Sequence, residues 1–175
     1  MSPSSPAAWH VVVPVKGVVG AKTRLAPPHG VDRGRLAVAM ALDTLESVCR
    51  VIAPGRVHVV TADDQFASAA TELGTHVVAD PADDDLLEAI AAGLGVLTPG
   101  SPTAVLLGDL PALRPEELAA ALAEADQHQR AFVPDRRGTG TVLLTGAPGI
   151  RLAPHFGADS AAAHEAAGYV RLELA

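Results

Sequence analysis

The stretch that decides the fold is an apolar run that opens into a basic loop, Val11-Val12-Val13-Pro14-Val15-Lys16-Gly17-Val18-Val19-Gly20-Ala21-Lys22-Thr23-Arg24-Leu25. The run hardly alternates in polarity from Trp9 to Val15, which predicts a strand buried on both faces. The loop gathers three cations in a chain whose net charge is −7. In α/β proteins a buried strand that ends in such a turn commonly binds phosphate-bearing ligands. The stretch therefore predicts an anion clamp for a nucleotide.

The composition predicts one domain with a sizeable core. Apolar residues make up 49% of the 175 residues, and charged residues 19%. We expect a flexible N-terminal tail at residues 1–8 and a single domain at 9–175. A pI near 5.4 argues against a nucleic-acid binder, and Cys49 alone allows no intrachain disulfide or thiolate cluster. No run reaches membrane-spanning length and the N-terminus lacks a signal-peptide pattern, so a cytoplasmic protein without a membrane partner is expected.

The rest of the chain alternates short apolar runs with helical patterns. After the first strand, strands are predicted at 57–61, 75–79, 103–107, 131–133, 141–145 and 169–174. Helices are predicted at 32–51, 65–73, 86–97, 115–129 and 160–167, with starts marked by capping Asp residues or proline. This order predicts a three-layer α/β/α sandwich with a mostly parallel sheet. Ligands of such folds bind at the carboxyl ends of the strands.

The cations of the first loop are Lys16, Lys22 and Arg24, at positions i, i+6 and i+8. Ala21 separates the second glycine from the lysine, so the loop is not a Walker A loop, and the dinucleotide Gly-x-Gly-x-x-Gly pattern is also absent. The three cations suit several phosphate oxygens, because Lys supplies a point charge and Arg a bidentate fork. On spacing alone, a solvated surface loop explains them equally well.

Asp109 follows the apolar run 104–107 and is predicted to lie at the rim of the sheet. Mg²⁺ prefers oxygen ligands and usually binds through one or two carboxylates together with substrate phosphates. The alternative is an Asp that caps a turn before Pro111. The basic loop on the other side of the rim favours the metal site.

Two later segments offer groups for a second anion. Gly138-Thr139-Gly140-Thr141 has backbone amides and hydroxyls that suit either an anion cradle or an ordinary hairpin turn. Phe156-Gly157-Ala158-Asp159-Ser160 precedes a short helix, where the amides either hold a phosphate or only cap the helix. His164 lies one turn after Ser160, and a packed or solvated histidine is favoured over one that faces a ligand.

These motifs together resemble the CofC/FbiD family of guanylyltransferases, within the GT-A-type (Rossmann-like, nucleotide-diphospho-sugar transferase) nucleotidyltransferases that include MobA. The matching pieces occur in the family's order over nearly the whole chain: Pro14-Val15-Lys16, Ala21-Lys22-Thr23-Arg24-Leu25, Gly108-Asp109-Leu110-Pro111, Pro134-Asp135 with Gly138-Thr139-Gly140-Thr141, and Phe156-Gly157-Ala158-Asp159-Ser160 with His164.

The resemblance implies transfer of GMP from GTP to a phosphorylated three-carbon acid, with release of pyrophosphate, in coenzyme F-420 biosynthesis. The acid is phosphoenolpyruvate or 2-phospho-L-lactate, and a downstream transferase of the pathway is a possible partner. By motif, the triphosphate would be held by Lys16, Lys22 and Arg24. Asp109 would hold Mg²⁺. The phosphate of the acceptor would be held by Thr141, Gly157 and Ser160.

The chain also departs from the family pattern. It has Asp85-Leu86-Leu87-Glu88 where the family has Gly-Leu-Asn, and Val142 where an Asn is common. It stops at Ala175, before the family's Asp-Thr-Pro-x-Asp-Leu segment that is expected to supply a second metal carboxylate; Asp135 is the candidate substitute.

Three hypotheses follow from the resemblance and these departures. They are a guanylyltransferase for a three-carbon acid, a MobA-like nucleotidyltransferase with another acceptor, and a nucleotide-binding relative with weak turnover. The alanine-rich composition, like that of bacterial members, favours phosphoenolpyruvate.

Overall fold

The computed structural model describes residues 8–16, 30, 32–82 and 85–173. The predicted tail lies outside these residues apart from Ala8, and so do Lys22 and Arg24. The elements within the described residues are β1 His10–Pro14, α1 Arg33–Cys49, a 3₁₀ turn Pro54–Arg56, β2 Val57–Thr61, α2 Asp64–Glu72, β3 His76–Ala79, α3 Leu86–Gly95, β4 Thr103–Leu106, α4 Pro115–Ala125, β5 Arg130–Pro134, β6 Thr141–Gly146, α5 Ser160–Ala166 and β7 Val170–Arg171.

The strands form one sheet in the order β3-β2-β1-β4-β6-β5-β7. The first four strands in this order are parallel to one another, and β7 is parallel to β5. Strand β6 runs antiparallel to both of its neighbours, β4 and β5. The predicted α/β fold with a mostly parallel sheet is confirmed, and β6 is the reversed strand in it.

Helices cover both faces of the sheet and give the predicted three layers. The core on one face joins residues of α1, α2 and α4 to Val11 and Val13, and the core on the other joins residues of α3 and α5 to Val12. All three valines are fully buried. Strand β1 is therefore buried on both faces, as its unbroken apolar run predicts.

Most predicted helix starts are confirmed by their caps. Asp32 accepts a hydrogen bond from the Arg35 amide at 2.8 Å, and Asp63 accepts one from the Phe66 amide at 2.9 Å. Such caps satisfy amides that have no partner inside the helix, which is why a short sequence signal places the start well. Pro115 begins α4 as predicted.

Two predicted ends are wrong. Helix α4 stops at Ala125 instead of continuing to about 129, since its last buried residue is Ala125 and the polar residues after it have no core to face. Strand β7 pairs with β5 only at Val170 and Arg171, where the prediction was 169–174. Tyr169 instead packs its ring against His164, so it contributes to the core next to the strand.

None of the helices in the described part of the chain is long and apolar enough to cross a membrane.

Candidate functional site

Three charged residues follow the carboxyl ends of the parallel strands. Lys16 comes two residues after β1, Asp80 directly follows β3, and Asp109 comes three residues after β4. If the observed register is continued past the strand ends, all three fall on one row across the sheet. The edge that sequence reasoning selects thus carries one cation and two carboxylates side by side.

The side chain of Lys16 leans along this row to Asp80. Its Nζ lies 3.3 Å from Asp80 Oδ2 and donates to the Ala82 carbonyl at 3.1 Å. Asp80 Oδ1 accepts from the Ala82 amide, and the carboxylate is only 2% exposed, against 24% for the Lys16 side chain. An ammonium group has three donors, so one N–H of Lys16 is left for a ligand.

Sequence reasoning missed the role of Asp80. The aspartates before the helix predicted at 86–97 were assigned only to its cap, a role that Asp85 fills by accepting from the amides of Leu87 and Glu88. The available signal was an Asp at the very end of a strand pattern, the same signal that selected Asp109. Asp80 fixes where the Lys16 ammonium group stands.

Gly108 lets the ends of β1 and β4 approach each other closely. A Cβ atom at this position would lie 2.7 Å from Val15 Cγ2 and 3.0 Å from the Pro14 carbonyl oxygen. Any side chain at this position would force Val15 or the β1 backbone to shift, so glycine allows the close approach of the two strands before Asp109. Beyond Asp109, the Leu110 amide donates to the buried Thr44 hydroxyl at 3.0 Å, which anchors the loop to α1.

Asp109 is exposed, and its carboxylate has no hydrogen-bond or ion-pair partner among the residues that the structure describes. It differs in this from Asp80 and Asp135, whose carboxylates are engaged. We call the side of the sheet where the parallel strands have their carboxyl ends the ligand edge. A carboxylate that lies there without a protein partner suits a hard cation that also binds phosphate oxygens.

The reversal of β6 brings Thr141 to the same edge. Leu106 pairs with Leu143, and the Leu107 amide donates to the Val142 carbonyl at 3.0 Å. One further step in this antiparallel register sets Thr141 opposite Gly108 and so next to Asp109. Because a strand's first residue and its antiparallel neighbour's last residue share an edge, the start of β6 lies where the parallel strands end.

Thr141, Ser160 and His164 form a compact unit beside that point. Thr141 Oγ1 lies 2.9 Å from Nδ1 of His164, which is fully buried on α5, so the predicted packed histidine is confirmed. Ser160, the first residue of α5, is 1% exposed, and the Ala161 amide donates to the Thr139 carbonyl at 3.0 Å. The structure therefore brings Thr141 and Ser160 together across 19 residues of sequence.

Gly157 lies just before this unit and is exposed. Its φ of +139° belongs to the region that only glycine adopts readily, although a Cβ atom there would meet nothing within 4 Å. The glycine is needed for the path of the backbone and not for space.

The Gly138-Thr139-Gly140 cradle holds an anion of the chain itself. Asp135 accepts at Oδ1 from the amides of Arg137 and Thr139, each at 3.1 Å. These amides and those of Gly138 and Gly140 lower the pKa of the Asp135 carboxyl, the Gly140 amide most. Of the two alternatives for this segment, an anion cradle or an ordinary turn, the hydrogen bonds favour the ordinary turn, because the Asp135 carboxylate already accepts from its amides. Because two backbone amides already engage Oδ1, Asp135 is a weaker candidate than Asp109 for a metal ligand.

No three His, Cys, Asp or Glu side chains in the described ranges stand close enough to hold a metal by themselves. This arrangement does not suit a dedicated protein cage. It does fit Mg²⁺, which keeps several water or phosphate ligands and needs few carboxylates. Asp109 is the described residue whose chemistry fits this requirement.

A separate cavity of about 570 Å³ lies near the start of β4, at the end of the sheet opposite the candidate site. Its walls come from the end of α3, the start of β4 and the segment 149–154, and they are mostly apolar. None of the residues proposed for the site lines it, so we do not place the substrates there.

The fold is that of the nucleotidyltransferases. A nucleotidyl transferase from Methanothermobacter superimposes with a TM-score of 0.56 at 19% identity, covering 95% of this chain and 88% of that one. A structure assigned to the nucleotide-diphospho-sugar transferases, from Desulfovibrio desulfuricans G20, gives a TM-score of 0.64 at 17% identity and covers 95% and 80%. At these identities the likeness concerns the fold alone.

The family model of the MobA-like NTP transferase domain matches residues 31–168, and the chain belongs to this family. It is thus an enzyme of the nucleotidyltransferase class. Relatives named phosphoenolpyruvate guanylyltransferase include one from Streptomyces coelicolor, 48% identical over 95% of this chain and 80% of that protein. Another, from Mycobacterium marinum, is 44% identical over 93% of this chain and 77% of that protein.

Proposed function

We propose that the protein transfers GMP from GTP to the phosphate of phosphoenolpyruvate and releases pyrophosphate. The observation that carries the proposal is the Asp109 carboxylate, which has no partner among the described residues. It lies between a lysine on one side and the Thr141 hydroxyl on the other, at the carboxyl ends of the parallel strands. The relatives named phosphoenolpyruvate guanylyltransferase support the choice of acceptor. The resemblance places this step in coenzyme F-420 biosynthesis.

The nucleotide is proposed to bind at the β1 side of this edge. Lys16 would donate its remaining N–H to a phosphate oxygen while Asp80 and the Ala82 carbonyl keep the ammonium group in place. Lys22 and Arg24, which lie outside the described residues, are proposed to hold the same triphosphate. Cations gathered at a strand end offset the charge of the triphosphate and orient it.

The acceptor is proposed to bind at the β6 side. The Thr141 hydroxyl, the Ser160 hydroxyl and the Gly157 amide would hold its phosphate group. Ser160 has no side-chain hydrogen bond to any described residue, and the Gly157 backbone is exposed. This divides the edge into a triphosphate side and an acceptor side with Asp109 between them.

The reaction requires positioning more than acid–base chemistry. An oxygen of the acceptor phosphate attacks the α-phosphorus of GTP, the bond from that phosphorus to the β-phosphate oxygen breaks, and pyrophosphate leaves. The attacking phosphate is already ionised at neutral pH, so no general base is needed. Asp109 would hold Mg²⁺, which, when bound, neutralises charge on the phosphate oxygens.

The test is a pyrophosphate-release assay with GTP, Mg²⁺ and one acceptor at a time. Release that requires phosphoenolpyruvate supports the proposal. Release only with phospholactate, a sugar phosphate or a pterin phosphate would show that this compound, and not phosphoenolpyruvate, is the acceptor. GTP binding without pyrophosphate release under any condition would refute the proposed enzyme activity.

Asp109→Asn tests the metal site, and Asp43→Asn is its matched control. Both change one exposed carboxylate to an amide, but Asp43 lies on the solvent side of α1. We expect Asp109→Asn to lower kcat by at least about 100-fold, a loss of about 3 kcal/mol of transition-state stabilisation. Activity should be unchanged in Asp43→Asn, and unchanged activity in both variants would remove Asp109 from the site.

A further inference from the structure

His164 is a polar side chain in an apolar setting. It is fully buried, and its ring lies within 5.4 to 5.7 Å, centroid to centroid, of the rings of Phe132, Phe156 and Tyr169. A buried imidazole is costly unless both nitrogens have partners, and a leucine or phenylalanine would fill the space without that cost. The reason for a histidine must therefore lie in what its nitrogens contact.

Both nitrogens have partners, and one partner fixes the position of the proton. The His155 backbone amide lies 2.9 Å from His164 Nε2. A backbone N–H can only donate, so Nε2 must be the bare, accepting nitrogen. The neutral ring then carries its hydrogen on Nδ1, 2.9 Å from Thr141 Oγ1. The histidine donates to the threonine, and the threonine does not donate to the histidine.

The ring stays neutral under ordinary conditions. Burial, and then the neighbouring His155, lower the pKa of His164 to about 4, while the Ser160 carbonyl acts in the opposite direction. The rings that face it from the other packed elements, Phe132 and Tyr169, carry no charge that would offset this. Near neutral pH, His164 is therefore always the donor and Thr141 the acceptor of this hydrogen bond.

The direction matters because a hydroxyl has one proton. If Thr141 donated to the ring, it would offer only lone pairs to a ligand and would repel a phosphate oxygen. Since Thr141 accepts from Nδ1 instead, its own O–H has no acceptor among the described residues and can donate to a ligand next to Asp109. We propose that His164 is a positioning residue that makes the Thr141 hydroxyl a hydrogen-bond donor for the acceptor phosphate. This inference rests on the proposed function, because it names the group that the hydroxyl would bind.

Two variants of His164 separate this role from plain packing. In His164→Asn the amide nitrogen takes the place of Nδ1 and still donates to Thr141, but the acceptor for His155 is lost. In His164→Gln the amide oxygen takes the place of Nε2 and still accepts from His155, but the donor to Thr141 is lost. Each variant removes one hydrogen bond, but Asn is one methylene shorter than Gln and leaves the larger void in this buried site. A merely structural residue would therefore be disturbed at least as much by Asn as by Gln, which is the opposite of the ranking that the proposal predicts.

The kinetic readout is KM for phosphoenolpyruvate against KM for GTP. We expect His164→Gln to raise the acceptor KM by about 10-fold, the effect of one hydrogen bond, with the GTP KM unchanged. His164→Asn should stay within about 3-fold of the wild type. Thr141→Val should raise the acceptor KM at least as much as His164→Gln, and the double variant should show no further rise. Equal effects of Asn and Gln, or multiplying effects in the double variant, would overturn the inference.

Two measurements need no turnover and keep the inference separate from the proposed function. Long-range ¹H–¹⁵N correlation should find the proton of His164 on Nδ1, with His164→Asn identifying the signal; a proton on Nε2 would overturn the inference. Where the wild type binds phosphoenolpyruvate, calorimetry should show the same ranking of the variants in affinity, and an affinity equal to that of the wild type in all of them would also overturn the inference. If the wild type releases no pyrophosphate, the proposed function fails while these two results still decide the role of His164.

Discussion

Gly93 on α3 offers a test of how closely the layers are packed behind the candidate site. An ideal Cβ atom at this position would lie 2.8 Å from Val60 Cγ2 and still closer to a methyl carbon of Val12. Both valines are fully buried on adjacent central strands, and a β-branched side chain cannot rotate away at low cost. Gly93→Ala must therefore lift α3 from the sheet or strain the strands.

The size of the effect follows from two opposing terms. Overpacking of this kind lowers the free energy of unfolding by about 1 to 3 kcal/mol. Replacing glycine by alanine within a helix raises it by up to about 1 kcal/mol. We expect a net loss of roughly 1 to 2 kcal/mol in the free energy of unfolding. For a chain of this length that corresponds to a fall of about 2 to 8 °C in Tm.

Gly95→Ala is the matched control, because Gly95 lies in the same helix and nothing stands within 4 Å of its added Cβ atom. It should leave stability unchanged or raise it slightly, and the difference between the variants then isolates the clash. Urea unfolding followed by circular dichroism measures both. Equal or greater stability in Gly93→Ala would refute the close packing.

The same change has a functional consequence. Helix α3 begins directly after the turn in which Asp80 and Ala82 hold Lys16. Displacing the helix should disturb that turn, so Gly93→Ala should raise the KM for GTP several-fold while the KM for the acceptor changes less. An unchanged ratio of the two KM values would contradict this link between α3 and Lys16.

Three further predictions concern the charged and titrating groups. Asp80→Asn should raise the KM for GTP by about 3- to 10-fold, since Lys16 loses its charged partner, and an unchanged or lower KM in the release assay would count against that role. Gly140→Ala should destabilise the 135–140 loop, because its Cβ atom would lie 2.6 Å from an Asp135 carboxylate oxygen; a melting curve identical to the wild type would show that the carboxylate can move aside. His58 and His164 both have pKa values lowered to about 4, chiefly by burial. The unfolded chain therefore binds more protons below pH 6.5, and stability should fall on acidification from pH 7 to 5, by roughly 2 kcal/mol per histidine in urea titrations; a flat profile would refute the neutral buried rings.

Much of the fold follows from local signals in the sequence. The unbroken valine run of β1 specifies a central strand because only a doubly buried strand tolerates apolar residues on both faces. Caps such as Asp32 and Pro115 specify helix starts because they act on amides within three or four residues. The end of α4 was placed too late, since a helix that lacks a strong stop ends where its buried face ends, and burial is a tertiary property.

The candidate site divides in the same way. Asp109 could be selected from the sequence because it directly follows a strand pattern, and parallel strands end at the ligand edge. The partner of Lys16 could not, because Asp80 lies 64 residues away and only the order of β3, β2 and β1 places the two on one row. The motif around residue 140 fits either an anion cradle or an ordinary hairpin turn, and only the folded loop shows that the Asp135 carboxylate accepts from its amides.

The sequence by itself determined the layered α/β architecture and most helix starts, since both follow from patterns among residues close together in the chain. It also predicted Asp109, Thr141 and Ser160 as site residues. Only the tertiary structure decided that β6 runs backwards to set Thr141 opposite Gly108, and that His164 donates to Thr141. These features depend on strand order and on hydrogen bonds between distant residues. A hydrogen bond has a direction only once both of its partners are in place.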